Sequence, residues 1–125
     1  MNSLLQSRGH EAERLVADHL RQQGYTVLEH NYRTKTGEID IILKKNDLIA
    51  FVEVKMRSAH YFNLSLVVDR SKQQKIIKTA LHYAARNHYT QHVLRFDVAL
   101  VEPGPQGDGF VVSFIPNAFT APEQV

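Results

Sequence analysis

A chain of 125 residues with 43% hydrophobic content has material for one compact core, and either half alone would be too short to bury much. It contains no cysteine, which excludes disulfides, thiolate metal sites and a cysteine nucleophile and leaves hard oxygen donors for any metal. The net charge of +2 is too small to imply a polyanionic partner by itself, yet it is unevenly spread. From Arg70 to Phe96 the chain carries Arg70, Lys72, Lys75, Lys78, Arg86 and Arg95 and no acidic residue, a candidate phosphate-facing surface.

In chain order, Met1 to Gly9 lacks the basic and apolar run of a signal peptide, and no stretch approaches the ~18 apolar residues of a membrane span. A cytoplasmic protein without a membrane partner is expected. Ala12, Leu15, Val16, His19 and Leu20 recur at helical spacing within Ser3 to Gln23, and Gly24 stands as the stop. Tyr25 to Tyr32 reads as a strand despite poor alternation. Glu38 to Lys44 alternates, with Glu38, Asp40 and Ile42 on one side and Ile39, Ile41 and Leu43 on the other. Leu48 to Lys55 is apolar on both faces until Glu53, the pattern of a central strand.

Ser58 to Val68 has no firm period and is read as a loop placed to close over a site. Ser71 and Gln74 have capping-box spacing ahead of a second helix that runs to about Asn87, with Ile76, Ile77, Ala80, Leu81 and Ala84 as its apolar side. Lys72, Lys75, Thr79, His82 and Arg86 form a polar, basic stripe beside it. Strands Leu94 to Val101 and Phe110 to Ile115 follow, separated by a Pro/Gly-rich loop. The order is α-β-β-β-α-β-β, a single domain over residues 1–118 with a frayed tail at 119–125.

If Asn46-Asp47 is a two-residue turn, Lys45 pairs with Leu48, Asp40 faces Glu53 and Glu38 faces Lys55. Carboxylates directly opposed on neighbouring strands repel, a poor arrangement for stability alone. A divalent cation between them removes the objection. Lys55, two residues after Glu53, leaves the same face of the strand. Two carboxylates with a bound Mg²⁺ and an ammonium group supply what phosphodiester hydrolysis needs: an activated water, a polarised phosphoryl oxygen and compensation of growing negative charge. An ordinary solvated face of cross-strand ion pairs has the same composition. Against that bland reading stands the strongly apolar strand ending at Glu53, where a carboxylate without a partner is costly.

Elsewhere, Arg95 and Asp97 share a strand face and read as a structural ion pair. His88 and His92 fall where the helix ends, with no third ligand in fixed relation, so zinc is not read there. Tyr32 and Arg33 suit sheet-edge packing as well as contact with bases or phosphates.

Gly37-Glu38-Ile39-Asp40 followed by Phe51-Val52-Glu53-Val54-Lys55-x-Arg57 resembles the YraN-like family, placed in the PD-(D/E)XK, restriction-endonuclease-like superfamily and related to Holliday junction resolvases. Gly9-x-x-Ala12-Glu13, Gly24-Tyr25, Asn31-Tyr32-Arg33, Lys72-Gln73, Arg95-Phe96-Asp97-Val98 and Asn117-Ala118-Phe119 extend the likeness over almost the whole chain. Ile39 stands where the superfamily has a proline, and Phe62-Asn63 where the family usually has a glycine after the phenylalanine. The resemblance implies an α/β, restriction-endonuclease-like fold with a four-stranded mixed sheet core flanked by helices. It also implies a Mg²⁺- or Mn²⁺-dependent endonuclease: Asp40 and Glu53 as metal ligands, Lys55 as catalytic lysine, and Glu13 completing the site from the first helix.

Arg57, Lys72, Gln73 and Lys75 are the residues expected on nucleic acid, DNA before RNA, and a homodimer is among the assemblies allowed. Two rival readings are a non-catalytic nucleic-acid-binding module that keeps the fold, and an adaptor whose basic helix binds an acidic protein.

Overall fold

Asn46-Asp47 closes a two-residue turn, with Asn46 at φ 54°, a left-handed conformation that asparagine tolerates better than most residues. Pairing starts at Lys45 opposite Leu48 and runs to Ile41 opposite Val52, the register the turn predicts. The computed structural model describes residues 3–56 and 68–122. Arg57, Phe62-Asn63 and the expected loop, apart from Val68, lie outside the described residues.

The elements are α1 (Ser3–Gln22), β1 (Thr26–Arg33), β2 (Glu38–Lys45), β3 (Leu48–Met56), α2 (Arg70–Arg86), β4 (Val93–Pro103) and β5 (Phe110–Phe119). This is the α-β-β-β-α-β-β order expected. The strands form one sheet in the order β1-β2-β3-β4-β5. Only β3 and β4 run parallel, so the chain must cross over between them, and α2 lies on that crossover. Among the described residues no helix is long and apolar enough to cross a membrane.

The two described helices cover opposite faces. Ala12, Val16, Ala17 and Leu20 of α1 pack on Ile41, Leu43, Ala50 and Val52, while Ile76, Ala80 and Tyr83 of α2 pack on Ile42, Ile49, Phe51 and Phe96. The central strand β3 is therefore buried from both sides, as its unbroken apolar run predicts. Burying a side chain such as Phe51 or Ile49 stabilises by roughly 1.5–3 kcal/mol.

Several boundaries differ from expectation for local reasons. Helix α2 is capped by Asp69, whose Oδ1 accepts from the Lys72 amide at 2.8 Å; Ser71 already lies inside the first turn. Strand β5 continues past Ile115, because Phe119 pairs opposite Phe96 and stacks on its ring at 5.4 Å. Phe119 is thus core, not tail, and β5 makes the sheet five-stranded. Thr79 does not belong to an exposed stripe: it is fully buried, donates to the Lys75 carbonyl, and lies beneath Gly37, where a Cβ would come 3.2 Å from its hydroxyl.

Candidate metal centre

Strands β2 and β3 stop pairing at Ile41 and Val52. In this hairpin alternate pairs exchange both backbone bonds, so Ile39 would be the next partner of Val54. Instead the side chain of Asp40 takes that place, its Oδ2 accepting from the Val54 amide at 2.8 Å. The aspartate is thereby pinned in the gap between two strands.

The same point breaks the alternation expected for β2. Ile41 buries in the α1 core, yet Ile39, two residues away, buries in the α2 core with Ile42. The strand turns over at Asp40. On β1, Asn31 lies between His30 and Tyr32, the partners of Ile41 and Ile39, and takes φ 52°. A left-handed residue here follows the twist of its neighbour, and asparagine suits it.

Glu53 comes next on β3 after the buried Val52, on the side facing α2. Its side chain is only 10% exposed, and its Oε1 lies 3.4 Å from Lys72 Nζ. Burial pushes its carboxyl up to about 8, helped by the charge of Asp40 and a hydrogen bond with it, and opposed by Lys72. The two carboxyl groups thus meet, but not as the opposed ladder pair the turn predicts, because pairing has already ended at Ile41 and Val52. They line a cleft of about 380 Å³ whose opposite wall is the start of α2, with Ser71, Lys72 and Lys75.

Glu13 approaches from the other layer. It is half-buried on α1, accepts from Asn31 Nδ2 at 3.1 Å, and has its carboxyl raised by burial and then by the charge of Asp40. Asn31 is the member of this group to which the sequence assigned no role; its presence in Asn31-Tyr32-Arg33 was the signal available.

Other site candidates are placed differently. Lys55 is exposed and does not line the cleft. Glu38 meets Arg33 of β1 at 3.2 Å, not Lys55, because β2 leaves β3 before reaching that pair. Gln73 uses its amide nitrogen to hold the Val68 carbonyl at 3.0 Å, tying down the entry to α2. Lys72 and Lys75 do face the cleft, although Lys72 is engaged with Glu53. Tyr32 packs edge-on against Tyr83, the packing role.

The donor set suits a hard cation. Two neighbouring carboxylates, Glu53 nearly buried and Asp40 half-buried, repel each other and are relieved by a divalent ion, and Mg²⁺ commonly binds through one or two carboxylates while keeping waters. Among the described residues no group of three or more His, Asp or Glu is gathered for a metal. Asp40 and Glu53 stand as a pair, while Glu13 is engaged by Asn31.

Arg95 and Asp97 form the expected structural pair. Asp97 is fully buried, receives Arg95 at 2.8 Å and the Asn117 amide at 2.8 Å, while Arg95 also donates to the Tyr25 hydroxyl. Three separated motifs meet in this one network.

The model of the uncharacterised protein family UPF0102 matches residues 12–101, a span that includes Glu13, Asp40, Glu53 and both basic residues of the cleft. The chain belongs to this family. A UPF0102 protein of Alkaliphilus metalliredigens is 42% identical over 114 residues, covering 90% of this chain and 97% of its own. Similar UPF0102 proteins occur in Nitrosomonas europaea, 39% identical over 90% of this chain and 93% of the relative, and in Clostridium acetobutylicum, 38% identical over 95% and 98%. UPF0102 is the YraN-like group that the motifs resemble.

Proposed function

We propose that this UPF0102 protein is a cytoplasmic, metal-dependent nuclease of the restriction-endonuclease-like type that hydrolyses phosphodiester bonds, in DNA before RNA, with branched or damaged DNA as the favoured form. The observation that carries the reading is the approach of Asp40 and Glu53 at the rim of a cleft walled by Lys72 and Lys75. A purely binding surface for a polyanion has no use for two neighbouring carboxylates. Asp40 and Glu53 would hold Mg²⁺ or Mn²⁺, which when bound supplies Lewis acidity and a more acidic water.

The remaining work falls to the chain itself. The Val54 amide fixes Asp40 in the strand gap, so its carboxylate needs no reorganisation. Lys72 and Lys75 draw the phosphate to the cleft, and Lys72 offsets the charge of Glu53. Lys55 is assigned the transition-state charge by resemblance.

One observation favours the non-catalytic binding module instead: Lys55 is exposed and outside the cleft lining. Linear, single-stranded, flapped and four-way DNA incubated with Mg²⁺ or Mn²⁺ separates the two. Cleavage by the wild type that Asp40→Asn abolishes is expected. Salt-sensitive binding with no cleavage of any substrate would hand the function to the binding module.

A further inference from the structure

The basic stripe of α2 is divided, not continuous. Thr79, buried against Gly37, separates Lys72 and Lys75 from His82 and Arg86. Beyond this divide lies a second cleft of about 410 Å³, where His82 and Arg86 face Arg33 at the end of β1 and Thr34 and Lys35 of the β1–β2 connection. Among the described residues no acidic side chain lines it. The protein as a whole carries a net charge of only +2, so this concentration is local.

We propose that this second cleft is a phosphate-binding subsite that anchors a polynucleotide strand away from the carboxylate pair. The link to Asp40 and Glu53 rests on the nucleic-acid reading above. A solvated helix face explains only part of the arrangement. Arg86, in the last turn of α2, complements the negative end of the helix dipole, but Lys35 and Arg33 come from a different element that the dipole does not require.

The connection is also internally fixed. Thr34 donates its amide to the Gly37 carbonyl and accepts the Thr36 amide at its hydroxyl, so Lys35 is presented on an ordered turn. Arg33 joins the two clefts, since its Nε contacts Glu38, which lines the first, while it lines the second itself. A guanidinium has five N–H donors, so that contact leaves others for a phosphate.

Spacing sets the reach. Lys75 and His82 are seven residues apart on α2, about 10 Å at 1.5 Å per residue, and Lys72 and Arg86 are about 21 Å apart. At roughly 3.4 Å per nucleotide along one strand of a duplex, the anchor lies about three to six nucleotides from the first cleft. The substrate is thus a polynucleotide bound along α2, not a mononucleotide or a bare phosphate ester.

The test is equilibrium binding of a labelled DNA duplex of about 20 base pairs without divalent ions, measured against salt for the wild type, Lys35→Ala with Arg86→Ala, and a control that removes two cations elsewhere, Arg14→Ala with Lys44→Ala. All four side chains lie at least partly exposed, and a thermal melt verifies that each variant folds. Affinity should fall roughly 10-fold and the salt slope by nearly two units in the first variant, with little change in the control. An unchanged slope in the first variant, an equal change in both, or no DNA binding by the wild type would overturn the subsite. If the slope responds as expected but no DNA is ever cut, the anchor stands and only the nuclease reading fails.

Discussion

Asp40 accepts the backbone amide of Val54 at 2.8 Å, so a side chain completes a sheet ladder at the place where its two strands separate. The bond needs an oxygen acceptor, not a negative charge. Asp40→Asn can keep it while removing repulsion with Glu53, and should fold with equal or greater stability. Asp40→Ala leaves the Val54 amide without this partner and should cost about 1–2 kcal/mol in denaturant unfolding. Equal stability of the two variants would show that the bond contributes nothing.

Glu53 makes the metal-free protein less stable as pH rises. Its carboxyl is raised from 4.5 to about 8, so between these values the folded state holds a proton that the unfolded chain has lost. Stability is therefore greatest below pH 4.5 as far as this group is concerned, falls through the window, and levels off above about 8, by on the order of a few kcal/mol. Glu53→Gln should flatten that slope. Lys72→Ala, which removes the cation holding the carboxyl down, should move the fall to higher pH.

A cation that binds only the folded state raises the melting temperature with concentration. Mg²⁺ or Mn²⁺ at about 100 times Kd should stabilise by roughly 2.7 kcal/mol. In Asp40→Asn with Glu53→Gln the rise should vanish; one that persisted would locate the ion at other residues.

Lys55 is a direct test of the mechanism implied by resemblance. Its exposure outside the cleft predicts that Lys55→Ala leaves DNA affinity nearly unchanged, and its assigned role predicts a loss of cleavage of ~10²-fold or more. A metal-dependent cleavage rate that did not change would remove the lysine from the mechanism.

Arg95→Ala should be among the most damaging substitutions away from the cleft. It strands the buried Asp97 carboxylate, for a cost of about 3–5 kcal/mol in chemical unfolding. Arg95→Ala with Asp97→Asn should recover part of it, and no recovery would mean that the loss comes from Tyr25 and packing.

The order of elements and the hairpin register were legible because they follow from local rules: alternation, an Asn-Asp turn, and a glycine after the first helix. That register brought Asp40 close to Glu53, although the ladder ends one pair before them. What escaped was tertiary. The turning over of β2 at Asp40 depends on β1 lying alongside, and nothing in Glu38–Leu43 announces that Ile39 will bury away from Ile41. Thr79 looked like part of a helix stripe because Gly37, its cover, is 42 residues earlier. Phe119 looked like tail because its stacking partner, Phe96, belongs to another strand.

That one residue separates Ile39 from Ile41 has an electrostatic consequence. Asp40 stands where the two layers meet: its charge reaches Glu13 of α1, and it faces Glu53, which contacts Lys72 of α2. Any change of charge at Asp40 is therefore felt by an acid on each face of the sheet, Glu13 on the α1 side and Glu53 on the α2 side, so neither can be altered independently of the other.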